Sequence, residues 1–387
     1  MKKLKSFISF AKPDIGNEEI EEVVNTMKSG WLTTGPKVKQ FESNFSDFLG
    51  NNKLNALAVN SATSGLHLSL EAIGIKPGDE VITTTHTFAA TAEVIIYMGA
   101  TPIFVDVDPD TLCINPSLIE SKITKKTKAI IPVHFAGLSS EMNQILKIAK
   151  KYNLKVIEDA AHALPTTYNQ KLIGTLKSDL TVFSFYANKT MTTGEGGMII
   201  TRNSEYAKRI RTMRLHGINR DVFDRFTSRK ANWEYDIIGP GYKYNMTDVA
   251  AAIGIHQLKK LNMLQAKRER IADIFSREFR NIPLKLPNFP KNKDKHSWHL
   301  YVIRLLDESK IKRDELIKRL TNLGIGTSVH YKPLHLHSYW KNNFKLEKTS
   351  FPNSQKAFEN SISLPIYSRM NDNDIEKVYK SVISCLS

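Results

Sequence analysis

Seven short β-rich runs alternating with helical patterns dominate the chain up to about residue 245, and this rhythm leaves few folds open. The runs fall at 57–59, 81–84, 103–107, 129–133, 156–157, 181–185 and 198–201, and polar residues gather at their ends. Helical patterns lie between several of them, at 66–73, 89–97, 141–151 and 204–215. Strand, helix, strand at this spacing predicts βαβ units and a mainly parallel sheet. Pro77-Gly78-Asp79 and Gly99-Ala100-Thr101-Pro102 supply helix stops.

Beyond that point the texture changes. A helix is expected over 246–261, capped by Thr247 or Asp248, then a second long helix to about residue 279. Pro283, Pro287 and Pro290 mark a loop. The remainder reads as strand (298–305), helix (313–323), strand (326–330), strand (361–364) and helix (372–382). The expectation is an α/β chain with a large domain over 1–260, around a mainly parallel seven-stranded sheet, and a connecting helix and smaller α+β domain over 261–387. The N-terminal segment is expected to pack on the smaller domain.

Composition narrows the function classes. Lys and Arg number 55 against 39 Asp and Glu, a net charge of +16. That balance suits anionic partners, but no block of five like charges and no regular interleaving with aromatics points to nucleic acid. No apolar run approaches the ~18 residues of a membrane span, and the apolar stretch 7–10 is too short for a signal peptide. Cys113 and Cys385 form no disulfide framework and no zinc or iron–sulfur pattern. A reducing, cytoplasmic compartment is expected.

In an open α/β sheet, ligands sit at the carboxyl ends of the strands. Four such ends carry chemistry. Asn60-Ser61-Ala62-Thr63-Ser64-Gly65 enters a helix and offers hydroxyls and N–H groups to an anion, or merely an N-cap. Val156-Ile157-Glu158-Asp159-Ala160-Ala161-His162 closes an apolar strand on two carboxylates. There a buried Asp pairs with a protonated ring nitrogen, binds a metal or caps the next helix. Lys189 lies between two apolar strands in a loop with Gly194, Gly196 and Gly197, where partial burial would lower its pKa as Schiff-base chemistry requires. Phe88, in Thr84-Thr85-His86-Thr87-Phe88, is either core or a ring-stacking surface. Together these supply a phosphate cradle, a carboxylate for a ring nitrogen, an aromatic platform and an amine for an aldehyde. That set matches pyridoxal 5′-phosphate.

With these residues, the chain resembles the sugar aminotransferases of the DegT/DnrJ/EryC1/StrS family, fold type I of the pyridoxal-phosphate enzymes, over essentially its whole length. The matching stretches are 30–36, 61–65, 78–82, 158–163, 183–189 with 194–197, 241–245, 330–335 and 363–365. Within the family, WLTTGP, DVDPDTL, AIIPVHFAG, EDAAHA and GPGYKYNMTD are most similar to the transaminases that make UDP-4-amino-4-deoxy-L-arabinose.

Residue by residue, the resemblance implies Lys189 as the Schiff-base lysine and proton shuttle. It implies Asp159 as the partner of the pyridine nitrogen, and His162 near the ring or its phenolic oxygen. Thr63, Ser64 and Ser184 would bind phosphate and Phe88 would stack on the ring. Thr33, His330 and Tyr331 would line the substrate pocket. Many members read Gly-Tyr-Asn-Tyr-Arg where this chain has Gly241-Tyr242-Lys243-Tyr244-Asn245, so Lys243 or Asn245 would reach the phosphate of the neighbouring subunit. The implied reaction moves an amine from L-glutamate, giving 2-oxoglutarate, to a keto-sugar nucleotide, a UDP-linked 4-keto sugar. The setting would be cell-surface polysaccharide or lipopolysaccharide biosynthesis, by a homodimer with no nucleic-acid or membrane partner.

Three other readings stand beside it. His330, His335 and His337 would suit a metal only with a nearby Cys or carboxylate, so no metal is expected. A sugar dehydratase of the same fold carries His in place of the lysine, against Lys189 here. A non-catalytic sensor of the fold would be expected to have lost Lys189, Asp159 or Ser184.

Overall fold

The computed structural model describes residues 7–50, 53–219 and 234–386; the charged start, residues 1–6, lies outside the described residues. The strands in chain order are β1 (Asn55–Val59), β2 (Glu80–Thr84), β3 (Thr101–Val105), β4 (Thr127–Ile130), β5 (Lys155–Asp159), β6 (Thr167–Tyr168), β7 (Lys171–Leu172), β8 (Leu180–Ser184), β9 (Gly197–Thr201), β10 (Leu284–Lys285), β11 (Tyr301–Leu305) and β12 (Ser361–Leu364). Seven of them form one sheet in the order β1-β9-β8-β5-β4-β2-β3. The β3–β2–β4–β5–β8 pairings are parallel, whereas β9 runs antiparallel to both β8 and β1. All seven expected runs are strands of this sheet, so the mainly parallel reading holds.

Both faces of the sheet are covered, as a parallel sheet requires. Alternate residues feed opposite cores: Leu57, Ile157, Val182 and Ile199 pack on one side. Ala58, Val156, Phe183 and Ile200 pack on the other. The helix Ala62–Ala72 lies so close to the sheet that a Cβ at Gly65 would stand 2.7 Å from Val182 Cγ1. β9 is antiparallel because the 185–196 connection has no crossover helix; it turns back as a loop, and Lys189 sits on it.

A second sheet, β10-β11-β12, packs with the helices Leu261–Glu278, Arg313–Asn322 and Asp372–Leu386 around Phe275, Tyr301, Leu316 and Val378. The strand expected over 326–330 is reduced to a bridge between Ser328 and Ser363. The N-terminal segment takes the neighbouring positions: Ile8 N donates to Gly324 O and Gly326 N donates to Ile8 O, each at 2.8 Å. β10, between Ile282 and Leu286, is too short to have shown a period in the sequence. Among the described residues, no helix is long and apolar enough to cross a membrane.

Candidate active site

Because β1, β2, β5 and β8 run in the same direction, their carboxyl ends meet at one edge of the sheet. There they enclose a cavity of about 430 Å³. Of the expected site residues, Thr63, Phe88, Asp159, His162, Ser184, Lys189, His330 and Tyr331 line it. The topology thus brings together residues far apart in the chain.

Lys189 is only partly buried by surface area, since it borders the cavity, yet it lies deep in the protein. Desolvation pushes its ammonium down to about 8, against the pull of the Asp159 charge. Asp159 itself is buried, and burial raises its carboxyl despite two donors. Thr91 Oγ1 donates to Oδ2 at 2.8 Å and Ala161 N to Oδ1 at 3.1 Å. Its neighbour Glu158 points to the other face of the strand, as period-two alternation demands. There it accepts from His134 Nε2 and Thr181 Oγ1, each at 2.9 Å, and from Ser178 Oγ.

His162 follows in the turn after β5. Its Nε2 is 3.0 Å from the Tyr331 hydroxyl, and its Nδ1 has no partner among the described residues. Burial holds His162 neutral, well below its ordinary value, and pushes the Tyr331 phenol up, so the hydroxyl is the donor of this pair. His330 Nδ1 is 2.8 Å from Ser363 Oγ, and its ring stacks on Phe10. Phe88 is 62% exposed, so the core alternative is set aside; its ring borders the cavity, 6.1 Å from that of Tyr331.

The helix Ala62–Ala72 opens on the cavity with Ser61 and Thr63. Ser61 is the cap, and it accepts from Ser64 N at 3.1 Å. Ser64, expected to bind phosphate, does not line the cavity. Its hydroxyl is committed to Asn60 Oδ1 at 2.6 Å and to the Ser61 carbonyl at 2.8 Å. A Cβ at Gly197 would come within 2.8 Å of Ala62 N, so β9 can press against this turn only as glycine.

Thr33, Lys243 and Asn245 also lie away from the cavity of their own chain. Thr33 is exposed. Asn245 is buried and donates to Thr34 Oγ1 at 2.7 Å, whereas Lys243 is exposed. Asn245 is therefore committed within its own chain, and Lys243 is the member of the pair that faces outward. His335 is tied to Thr85 and Gln355, and among the described residues no cluster of three His, Cys, Asp or Glu side chains could hold a metal.

The sequence reading missed Thr91 and His299. Thr91 stands one helical turn after Thr87, and the two hydroxyls are 2.7 Å apart, a spacing visible in the sequence. His299 stands just before β11 and had no local signal. Its Nε2 comes within 3.5 Å of Lys189 Nζ, and its ring centroid lies 4.3 Å from that of His162.

The cavity fits pyridoxal 5′-phosphate. Asp159 has no cation within 4.0 Å among the described residues, so a buried carboxylate awaits a positive partner such as a protonated ring nitrogen. The helix start with Ser61, Thr63 and Ser184 would hold the phosphate, and Lys189 presents the amine.

Comparison with known proteins points the same way. The model of the DegT/DnrJ/EryC1/StrS aminotransferase family matches residues 13–383. The spore coat polysaccharide biosynthesis protein SpsC of Bacillus subtilis is 46% identical over 385 residues, covering 99% of this chain and 98% of that protein. An uncharacterized protein of Methanocaldococcus jannaschii is 50% identical over 384 residues, with the same coverage. Among solved structures, Spr1654 from Streptococcus pneumoniae, described as a sugar aminotransferase and captured in its PMP form, superposes with a TM-score of 0.91 at 34% identity, covering 98% of both chains. Helicobacter pylori PseC, an aminotransferase of pseudoaminic acid biosynthesis, gives 0.89 at 31% identity, covering 99% of both.

Proposed function

Because this chain belongs to the DegT/DnrJ/EryC1/StrS aminotransferase family, we propose that it transfers an amino group from L-glutamate to a UDP-linked 4-keto sugar. It is a pyridoxal-phosphate-dependent sugar aminotransferase with the fold of that class. When bound, the cofactor supplies the electron sink on which the amine is exchanged. The protein supplies the rest. Lys189 offers an amine that deprotonates near neutral pH and moves the proton between carbon and nitrogen. Asp159 would hold positive charge on the ring nitrogen, and Thr91 and the Ala161 amide fix the carboxylate. His162, held by Tyr331, and Phe88 line the same cavity and would contact the cofactor ring there.

The observation that carries this reading is the enclosure of Lys189 and Asp159 in one cavity at the strand ends, with a helix N-terminus facing the same space. Specificity for a UDP-linked 4-keto sugar rests on the resemblance to the transaminases that make UDP-4-amino-4-deoxy-L-arabinose. The net charge of +16 suits such an anionic substrate. Work on cell-surface polysaccharide fits the role named for SpsC in Bacillus subtilis. The buried free thiols of Cys113 and Cys385 suit a reducing cytoplasm.

A homodimer is part of the proposal. Ile20, Val24 and Met27 form an exposed apolar stripe along the helix Asn17–Lys28, a face that a second copy would cover. The deciding assay offers glutamate with a panel of UDP- and dTDP-linked 3-keto and 4-keto sugars. The expected result is amination of the UDP 4-keto sugar with release of 2-oxoglutarate; a preference for a 3-keto or dTDP-linked acceptor would overturn the assignment.

A further inference from the structure

Trp298 lies in the left-handed region of backbone space, with φ of 48°, a conformation unfavourable for a bulky side chain. Its surroundings impose that conformation from several sides. Trp298 N donates to His296 Nδ1 at 2.8 Å, and the His296 ring stacks on the indole with centroids 4.0 Å apart. Ser297 N reaches Gly137 O at 3.3 Å and Leu300 N reaches Ala136 O at 3.2 Å. Arg268, buried on the helix Leu261–Glu278, directs Nη1 at the carbonyls of Trp298, His299 and Ile366, at 3.1, 3.4 and 2.7 Å. Among the described residues this guanidinium has no carboxylate within 4.0 Å, and burial pushes it down to about 10.

A strained tryptophan clamped by an unpaired buried cation is a costly way to build a loop unless the loop delivers something. What it delivers is the next side chain. The His299 ring enters the cavity with Nε2 3.5 Å from Lys189 Nζ, and its Nδ1 has no partner among the described residues.

Resting on the transaminase reading, we propose that His299 is a positioning residue for Lys189: its neutral Nε2 accepts a hydrogen bond from the lysine whenever that amine is free of the cofactor. The amine is thereby held in one place between its release and its return. A neutral acceptor is needed, because an imidazolium would repel the ammonium. Burial beside Lys189, His162, Arg268 and His330 keeps His299 well below its ordinary value. Asp159 faces the same amine from the end of β5 and favours its charged form. At 3.5 Å the contact is at the long end of hydrogen-bond distance.

The test reads Lys189 directly. In the full chain freed of cofactor, labelling of Lys189 by fluorodinitrobenzene is followed across pH by peptide mass spectrometry. The wild-type midpoint is expected near 8. His299→Phe should lower it by about one pH unit, since the ammonium loses its acceptor. His299→Gln, which keeps an acceptor oxygen, should restore most of the shift. In the loaded enzyme, His299→Phe should cost about tenfold in kcat, about 1.4 kcal/mol, with little change in KM for glutamate. If the Phe variant does not fold, His299→Asn, too short to reach the amine, takes its place. An unmoved midpoint, or equal behaviour of the Gln and Phe variants in both readouts, overturns the proposal. Failure of borohydride to attach pyridoxal phosphate at Lys189 in the wild type would instead sink the transaminase reading.

Discussion

Thr91 Oγ1 donates to Asp159 Oδ2 at 2.8 Å, and the Thr87 hydroxyl stands 2.7 Å behind it. Thr91 lies in the first turn of the helix Ala90–Tyr97, so that helix fixes a carboxylate borne by β5. A hydrogen bond to a charged group is worth about 1.5–3 kcal/mol. Thr91→Val keeps the shape and removes the donor, which also lets burial push Asp159 further up. We expect a loss of roughly tenfold or more in kcat, in line with that energy. Thr91→Ser should recover it. Wild-type kinetics in the Val variant would mean that the Ala161 amide alone suffices.

Glu158 and Asp159 are adjacent, yet their substitutions should fail differently. Asp159→Asn should lose most transamination. In the cofactor-free protein the same variant should gain stability over wild type as pH rises. A carboxyl raised on folding contributes stability below its unfolded value, and that contribution disappears as pH climbs through the folded one. Glu158→Gln should do the reverse: most turnover kept, and about 1–3 kcal/mol of stability lost from the His134, Ser178 and Thr181 network. Urea unfolding at several pH values, beside steady-state kinetics, separates the two. Swapped phenotypes would exchange their roles.

Lys189 makes a second pH prediction, of opposite sign. Its ammonium is lowered from 10.5 to about 8, so the stability it contributes is full above 10.5 and lost as pH falls through 8. Without cofactor, Lys189→Met should therefore be more stable than wild type at pH 7, with the gap closing towards about 10.5. Turnover should vanish, because the proton shuttle is gone. A gap that does not change with pH would mean that the amine is well solvated.

The sheet was legible because its strands are buried on both faces and carry β-rich runs that period and composition reveal. The 326–330 segment misled for the opposite reason. Its pairing is split between a bridge from Ser328 to Ser363 and a hydrogen bond from Gly326 N to Ile8 O, which no local pattern announces. Strand-end logic brought Asp159, Ser184 and Lys189 to one edge, and alternation separated Asp159 from Glu158. It could not show that Ser64 serves its own helix cap, since cap and ligand use the same residue types. His299 was hidden because it reaches the cavity from far along the chain, through a backbone turn set by tertiary contacts.

The last prediction concerns assembly. The phosphate of the cofactor would bring about two negative charges to hydroxyls and a helix N-terminus that carry no full positive charge. Lys189 is the sole Lys or Arg among the described residues lining the cavity, and on the proposed reading its amine is engaged in the chemistry. Lys243 is exposed in the segment that the resemblance places across a two-fold axis, whereas Asn245 is tied to Thr34. We therefore expect Lys243 of one subunit to complete the phosphate site of the other. Mixing inactive Lys189→Ala chains with weakened Lys243→Ala chains, after unfolding and refolding together, tests this. If Lys243 acts in trans, a hybrid carries one site with both residues intact, and activity should rise above that of either parent. If it acts in cis, every intact Lys189 stays with a missing Lys243 and mixing gives no gain. Asn245→Ala should instead lower the melting temperature through the lost Thr34 contact. A rescue that depends on Asn245 rather than Lys243 would reverse the assignment.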